Sequence, residues 1–235
     1  FMPESSIDVV ESVIQAYKVC EDPKVLLPAV INIDLPNFSE SLQMPNDIFC
    51  RRFVARLKLP FGLDGKKRSY FAVQNDGYAE YIKQQQKAVK GSVEPLEKSS
   101  VLWKKKFSRL LPMVESYKTE DADAVLIISG FHSPTAKAAV NKLRAGGKKV
   151  GILRLRIIKP WPADAIKNAL KNAKKVAVYD QAVSLGGAGL LYQEIKPLAG
   201  FCSDFIALGK YPSENTFIEI FNRLDKSQKE EVVWL

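Results

Sequence analysis

The chain has 235 residues, of which 46% are hydrophobic and 26% charged, which is the composition of a folded globular protein. This apolar content excludes disorder of the whole chain, and no stretch reaches the roughly 18 consecutive apolar residues of a membrane-spanning helix. The formal net charge of +9 is compatible with nucleic acid, anionic ligands or an acidic partner, but a solvated, lysine-rich surface is the simpler interpretation. We therefore expect neither nucleic acid nor a membrane among the partners.

Cysteine and histidine are scarce in this sequence, which has three cysteines and one histidine. No Cys-x-x-Cys pair is present, so the spacing indicates neither an iron–sulfur cluster nor a zinc site. Widely separated cysteines are typical of a reducing compartment, and the first residues lack the basic and apolar regions of a secretory signal. We therefore expect a cytoplasmic protein.

The first block, residues 1–60, combines one helical pattern with one strand pattern. Apolar residues recur at helical spacing from Ile7 to Tyr17 and predict a helix. The segment Lys24–Ile33 is apolar on both faces, the pattern of a buried strand, and Pro28 within it favours a bulge or an edge position. One helix and one strand cannot cover each other, so we expect the end of an incomplete α/β domain, completed by a partner chain or an upstream segment.

The second block, residues 61–119, has the weakest pattern. Two helices are predicted, over 78–90 and over 96–111, and Asn75-Asp76-Gly77 predicts a turn. We interpret this block as a connector arm.

The third block, residues 120–235, alternates strand and helix patterns. Predicted strands cover 124–129, 150–157, 175–179 and 204–208, and predicted helices cover 134–145, 163–172, 188–197 and 214–224. Such alternation predicts an α/β fold with a doubly wound, mainly parallel sheet that has helices on both faces.

A glycine-rich turn, Ser184-Leu185-Gly186-Gly187-Ala188-Gly189, follows the third predicted strand of this block and opens a helix. Helix N-termini bind anions through their free N–H groups, yet neither a dinucleotide fingerprint nor a phosphate-binding loop is complete here. Two interpretations remain open: the glycines allow close packing, or they contact an anion or cofactor.

The single histidine, His132, follows the first strand of the third block, at the carboxyl edge where α/β sheets bind ligands. A catalytic role is one interpretation, but a histidine beside Ser133-Pro134 is more typical of a helix cap or a turn. The carboxylates of the sequence form no evident acid–base pair.

Five segments resemble the alpha subunit of the pyruvate:ferredoxin oxidoreductase family. Residues 13–34 (VIQAYKVCEDPKVLLPAVINID) look like the end of that subunit's first domain, and YIKQQQKAV looks like its Gln-rich connector. Residues 130–162 and 174–198 (KKVAVYDQAVSLGGAGLLYQEIKPL), with the tail EEVVWL, are similar to its second domain, which is like the C-terminal domain of transketolase. The resemblance covers nearly the whole chain.

The resemblance implies an enzyme that cleaves pyruvate or another 2-oxoacid on thiamine diphosphate, passes electrons through iron–sulfur clusters to ferredoxin, and forms an acyl-coenzyme A. It further implies that thiamine diphosphate, magnesium and the clusters are carried by other domains or subunits, of beta, gamma and delta type, and by the missing N-terminal domain. This chain alone would then bind no cofactor or metal and hold no catalytic residue. Its part would be scaffold and subunit contact.

The sequence departs from the family pattern at two places. The family's Asp-Gly-Phe-x-x-Ser-His stretch is altered over residues 34–40, and its Asp-Arg pair after the third strand is Asp180-Gln181. Candidate interface or near-site residues are Asp34, Ser39, Asp180, Ser184, Gly186, Gly187 and Gly189.

Two further hypotheses come from other functional classes. One is a stand-alone module that binds a nucleotide or coenzyme A through the glycine turn and the basic surface. The other is a non-catalytic assembly subunit.

Overall fold

The computed structural model describes residues 1–33, 42–54 and 75–235. The chain divides into two compact units. The first contains Ser6–Ile31 and the later described residues as far as Pro112, and the second contains Met2–Ser5 and Met113–Leu235. Within the described ranges, no helix combines the length and the apolar content that crossing a bilayer requires.

The described secondary structure of the first unit is entirely helical. Its helices are α1 (Ser6–Cys20), α2 (Asp47–Val54), α3 (Asn75–Gly91) and α4 (Val93–Phe107). The helix predicted near the start of the chain is confirmed, as are the two helices of the connector. The turn predicted at Asn75-Asp76-Gly77 is wrong, because these residues begin α3.

The strand predicted over Lys24–Ile33 is also wrong: the segment forms no strand. The pattern indicated burial on both faces, but the described part of this unit has no strand with which the segment could pair. Val25 is buried, whereas Val30 is 80% exposed. The apolar side chains that predicted a strand are thus partly left at the surface.

The first unit packs around an aromatic cluster and a polar helix face. The fully buried Trp103 of α4 lies 5.3 Å from Phe53 of α2, measured between ring centroids. Helix α1 turns Gln15 inward, and its amide donates hydrogen bonds to Ser99 Oγ at 2.9 Å and to the Leu111 carbonyl at 3.2 Å. The buried face of α1 is therefore largely polar, with Ala16 and Val19 as its buried apolar residues.

The second unit is built on a six-stranded sheet with the order β1-β3-β2-β4-β5-β6. The strands are β1 (Val114–Tyr117), β2 (Ala124–Ser129), β3 (Val150–Leu155), β4 (Lys175–Asp180), β5 (Cys202–Ile206) and β6 (Val232–Trp234). The helices are α5 (Ser133–Ala145), α6 (Ala163–Leu170), α7 (Leu190–Ile195) and α8 (Glu214–Lys226). All pairings are parallel except that of β1 with β3. The predicted α/β fold with a mainly parallel sheet is confirmed.

The two edge strands, β1 and β6, were not predicted. Both are short, and β1 (VESY) shows little of the apolar alternation by which strands are recognised. Because β1 joins the sheet, the main segment of the second unit is Met113–Leu235, which starts before the expected boundary at residue 120.

Hydrophobic cores lie on both faces of the sheet. Ile128 of β2 and Ile152 of β3 pack on one face with residues of α5 and α8. Their strand neighbours Ile127 and Leu153 pack on the opposite face with residues of α6 and α7. Strands buried on both faces explain the continuous apolar runs of the sequence.

A buried network of charges holds the edge strand β1 to the sheet. Arg154 of β3 is 3% exposed and donates to Glu115, its register partner on β1, at 2.8 Å. Lys137 of α5 binds Glu115 at 2.7 Å and Glu4 at 2.8 Å. Burial opposes ionisation of Glu115, but the hydrogen bonds and charges of Lys137 and Arg154 outweigh it and lower the pKa of that carboxyl.

We predict that Arg154→Met lowers the free energy of unfolding by about 2–4 kcal/mol, because Glu4 and Glu115 would lose a buried cationic partner. Urea denaturation of the 235-residue chain measures this change. The control is Lys174→Met, which removes an exposed pair with Asp123 and should cost no more than about 0.5 kcal/mol. Equal losses in the two variants would contradict the prediction.

Candidate functional site

A cleft opens where the crossover connections of the sheet reverse direction. The chain leaves β2 for β3 on one side and leaves β4 for β5 on the other, while β2 and β4 are neighbours. The loops that follow β2 and β4 therefore separate, and ligands of open α/β sheets bind in such a crevice. Here the crevice is a cleft of about 690 Å³ lined by residues of the second unit.

Asp180, a predicted candidate, is the last residue of β4 and is 1% exposed. Its carboxylate accepts hydrogen bonds from the Leu191 N–H at 3.0 Å and from the Tyr192 N–H at 2.9 Å. These are N–H groups of the first turn of α7, which have no partner within the helix itself. Asp180 thus fixes the start of α7 against the sheet, and burial raises the pKa of its carboxyl.

Asp204 of β5 lies beside Asp180 and was not predicted as a site residue. It is fully buried, and its Oδ2 accepts a hydrogen bond from the Gly189 N–H at 2.7 Å. Its Oδ1 has no N–H or O–H partner among the described residues. Burial first, and the neighbouring Asp180 carboxyl second, raise the pKa of Asp204 to about 6. The raised pKa favours the neutral form of this carboxyl in the buried pair.

The glycine-rich turn is shaped by this carboxyl pair. The turn closes on Ser184, whose carbonyl accepts from the Gly187 N–H at 2.8 Å, and Gly186 has a left-handed φ of +78°. A Cβ atom on Gly189 would lie 2.1 Å from Asp180 Oδ2. The glycines are therefore explained by backbone conformation and close packing. The N–H groups that an anion would need at this helix start are occupied by Asp180 and Asp204.

Leu185, at the tip of this turn, is 96% exposed. The candidate residues Ser184, Gly186, Gly187 and Gly189 lie in the turn and do not line the cleft, whereas Asp180 does. Asp34 and Ser39, the remaining candidates, lie outside the described residues.

His132 forms part of the cleft wall on the β2 side. It ends the 3₁₀ turn Gly130–His132, as a turn residue was expected to, but its side chain does not cap α5. The imidazole Nδ1 lies 3.2 Å from the hydroxyl of Tyr179, and the ring meets the Tyr211 ring edge-on at 6.0 Å between centroids. Burial raises the pKa of Tyr179, so its hydroxyl keeps its proton.

Lining residues from three loops were not predicted. Gln181 follows β4, Lys159 follows β3, and Lys210 and Tyr211 follow β5. Lys159 binds Glu194 of α7 at 2.9 Å. A sequence signal for these positions exists, since each comes shortly after a predicted parallel strand, where ligand contacts concentrate.

The described residues contain no cluster of three or more histidine, cysteine or acidic side chains suited to a metal ion. The whole sequence has three cysteines, fewer than the four thiolates that normally hold an iron–sulfur cluster. The side chains of this chain therefore do not fit such a cluster.

This chain is similar to several known proteins. Residues 122–204 match the model of the pyruvate:ferredoxin oxidoreductase core domain II. Pyruvate synthase subunit PorA of Methanothermobacter thermautotrophicus is 30% identical, covering 99% of this chain and 63% of its own length. PorA of Methanocaldococcus jannaschii is 29% identical with the same coverage. The chain therefore spans less than two thirds of these relatives.

Two more distant proteins are also similar. The alpha subunit of the NADH-dependent phenylglyoxylate dehydrogenase of Aromatoleum evansii is 25% identical, covering 81% of this chain and 49% of its own. Among solved structures, a chain of the 2-oxoglutarate:ferredoxin oxidoreductase of Magnetococcus marinus aligns with a TM-score of 0.49 and 17% identity, over 73% of this chain and 29% of that one.

We predict that Gly189→Ala destabilises the chain by about 2 kcal/mol or more, because the new methyl group would overlap the buried Asp180 carboxylate. Thermal or urea unfolding measures the loss. The control is Gly200→Ala, since a Cβ there meets no atom within 4 Å and should change stability by less than about 0.5 kcal/mol. An unchanged stability of Gly189→Ala would show that the turn is not packed as described.

We predict that Asp204→Asn becomes more stable relative to the native chain as the pH rises from 5 to 7.5. A carboxyl whose pKa is raised on folding stabilises the fold fully below its unfolded pKa, and this contribution is lost as the pH passes the folded value of about 6. Asparagine stays neutral, so the difference should grow by about 1–2 kcal/mol. Urea unfolding at both pH values measures it.

The matched control is Asp164→Asn on the exposed side of α6, for which the difference from the native chain should be the same at both pH values. A pH-independent difference for Asp204→Asn as well would contradict the raised pKa of Asp204.

Proposed function

We propose that this chain, which is similar over nearly its whole length to PorA subunits, belongs to the 2-oxoacid:ferredoxin oxidoreductase family and is the scaffold and subunit-contact portion of an alpha subunit in such an enzyme. The complex would carry out the oxidative decarboxylation of a 2-oxoacid, of the pyruvate type, to an acyl-coenzyme A, with electrons passed to ferredoxin. The observation that carries the proposal is the similarity to PorA over 99% of the chain.

The chemistry of the cofactors belongs to other parts of this complex. Thiamine diphosphate with magnesium would supply carbanion chemistry, and iron–sulfur clusters would supply electron transfer. The cysteine count of this chain does not suit a cluster, and its buried carboxyls, Asp180 and Asp204, are engaged with backbone N–H groups rather than open to a metal. We therefore assign both groups to other domains or subunits, in a cytoplasmic assembly that also meets coenzyme A and ferredoxin.

Contact with other subunits is supported by apolar surface in the first unit. A groove of about 220 Å³ lies between α1 and the extended segment that follows it, with Val13, Tyr17 and Ile31 among its lining residues. Tyr17 is 55% exposed, and Val30 next to the groove is 80% exposed. Uncovered apolar surface of this kind is typical of a protein interface.

A second contact is the tip of the glycine-rich turn. Leu185 is almost fully exposed, while the backbone beneath it is fixed by Asp180 and Asp204. An exposed leucine on a backbone turn held by hydrogen bonds can bury its side chain against a partner with little change in the backbone, which favours binding. The competing module hypothesis has less support, because these two carboxylates occupy the N–H groups on which nucleotide binding at the turn would depend.

We predict that Leu185→Asp lowers the recovery of partner subunits with the tagged chain at least about tenfold, because a buried carboxylate would replace an apolar contact. The variant and the native chain are co-expressed with the other subunits, and each eluate is assayed for coenzyme A-dependent reduction of an electron acceptor with pyruvate. The native eluate should turn over, and the chain purified alone should not.

Leu102→Asp is the control, since Leu102 is 44% exposed on α4 in a part of the surface to which no contact is assigned. Recovery of all subunits by Leu185→Asp would refute the contact at the turn. Turnover by the chain alone would refute the assignment of catalysis to other subunits.

A further inference from the structure

The cleft at the crossover reversal has the size and position of a small-molecule site that the scaffold role does not use. Its volume of about 690 Å³ lies within the range of roughly 300–1,000 Å³ found for ligand pockets. It lies beside the carboxyl ends of β2 and β4, the position at which open α/β sheets bind ligands. The side chains that line it decide which class of ligand fits.

Every acidic and lysine side chain in the described lining of the cleft has a partner within the chain. Lys159 and Glu194 bind each other at 2.9 Å. Asp180 accepts hydrogen bonds from two N–H groups of α7. Lys210 donates to a main-chain oxygen of Leu235 at 2.5 Å, and in the 235-residue chain this oxygen belongs to a carboxylate. An uncharged ligand suits this lining best, because a charged one would lose hydration without gaining an unpaired counter-charge.

A buried hydroxyl without a protein partner lies in the wall of the cleft. Ser129, the last residue of β2, is 7% exposed and lines the cleft. Its hydroxyl makes no hydrogen bond with any described residue. Burying a hydroxyl without a hydrogen bond costs free energy, so a polar ligand atom that reaches Ser129 is stabilised there. The hydroxyl both donates and accepts, and therefore suits either kind of polar atom.

A carboxamide lies on the neighbouring strand's loop. Gln181 follows β4, which pairs with β2, and its exposed side chain lines the cleft without a partner among the described residues. A carboxamide presents a donor and an acceptor side by side, so it matches a ring edge that carries the complementary pair. Nucleobases and rings that bear a carboxamide have such edges.

An aromatic ring and an apolar surface complete the lining. The Tyr211 ring is 69% exposed, and the His132 ring meets it edge-on at 6.0 Å between centroids. An exposed aromatic face stacks with a planar ring in an offset arrangement. Ile158, Leu190 and Leu191 add apolar surface, which suits the body of a ligand rather than a hydrated ion.

We propose that the cleft binds an uncharged, planar nitrogen heterocycle that carries a hydrogen-bond donor and an acceptor side by side on one edge. The ring stacks on Tyr211, and its polar edge binds the hydroxyl of Ser129 and the amide of Gln181. A nucleoside and a carboxamide-bearing ring such as nicotinamide share this chemistry. The proposal does not depend on which subunits the chain contacts.

Ligand titrations followed by nuclear magnetic resonance test the proposal, with the 235-residue chain and again with the assembled complex. The probes are adenosine, nicotinamide and, as a planar ring without a hydrogen-bond donor, 1-methylindole. We expect adenosine or nicotinamide to bind with a Kd below about 1 mM, and 1-methylindole to bind at least about threefold more weakly than the better of the two. Tighter binding of adenosine identifies a nucleobase as the recognised ring, and tighter binding of nicotinamide identifies the carboxamide.

Adenosine 5′-monophosphate is the charged comparison. It should bind no more tightly than adenosine, because the lysines that line the cleft are already paired.

Variants separate the hydrogen bond from the stacking. Ser129→Ala should weaken binding of the better polar ring about three- to tenfold and leave 1-methylindole unchanged. This substitution removes no hydrogen bond within the described chain, so circular dichroism should show an unchanged fold. Tyr211→Ala should weaken all three rings about three- to tenfold, whereas Tyr211→Phe keeps the stacking surface and the affinity. The control Tyr78→Ala removes an exposed tyrosine of α3 outside the cleft and should change no affinity.

The proposal is overturned if adenosine and nicotinamide both have a Kd above about 1 mM, or if adenosine 5′-monophosphate binds more than about tenfold more tightly than adenosine. It is also overturned if Ser129→Ala weakens 1-methylindole as much as the polar ring, or if Tyr78→Ala has the effect of Tyr211→Ala. Because the readout is ligand affinity, its failure is distinguishable from failure of the scaffold assignment, which is measured by subunit recovery.

Discussion

The burial of apolar side chains away from water is the constraint on which the stability of both units depends. Each exposed apolar group forgoes the free energy that burial would provide, about 25 cal/mol per Å². The sheet unit satisfies this constraint on both faces, where its central strands are fully covered by helices. The first unit satisfies it less well, since Tyr17 and Val30 remain largely exposed. Such exposure is tolerated when another polypeptide covers the surface in the functional assembly.

The carboxyl pair of Asp180 and Asp204 links the sheet to the exposed turn. Two neighbouring parallel strands each place an acidic residue below the glycine-rich turn, and their oxygens accept the backbone N–H groups of the turn and of α7. Burying two carboxyls is costly unless charge is neutralised or hydrogen bonds are made. Three backbone donors supply the hydrogen bonds, and the raised pKa of Asp204 favours its neutral form. The same pair explains why Gly189 tolerates no side chain and why Leu185 is held outward.

The sequence predicted the second unit well because strands buried on both faces leave continuous apolar runs, as at 124–129 and 175–180. It failed at Lys24–Ile33, where a similar apolar run forms no strand and is only partly buried. It also failed for the short edge strand β1, whose attachment depends on the ion pair of Glu115 with Arg154, a contact between residues far apart in sequence.

The sequence predicts only those parts of the candidate site that form a recognisable motif of neighbouring residues. Asp180 and the glycine-rich turn form a visible motif, whereas Asp204 gains its role from the parallel pairing of β4 with β5. Lys210 and Tyr211 follow a predicted strand, which indicates the correct edge of the sheet, but they reach the cleft only because β5 pairs with β4. Resemblance to known subunits supplied the assignment to an oxidoreductase, and the physical pattern of the chain alone did not specify a reaction.

Hydrogen–deuterium exchange of the backbone amides tests the central claim most directly, by comparing the chain alone with the chain in the assembled oxidoreductase. Coverage by other subunits predicts strong protection, on assembly, of the segment from Pro28 to Ile31 and of the turn around Leu185, with little change in the buried strands β2 and β4. Unchanged exchange in both segments would contradict the claim that these surfaces are subunit contacts.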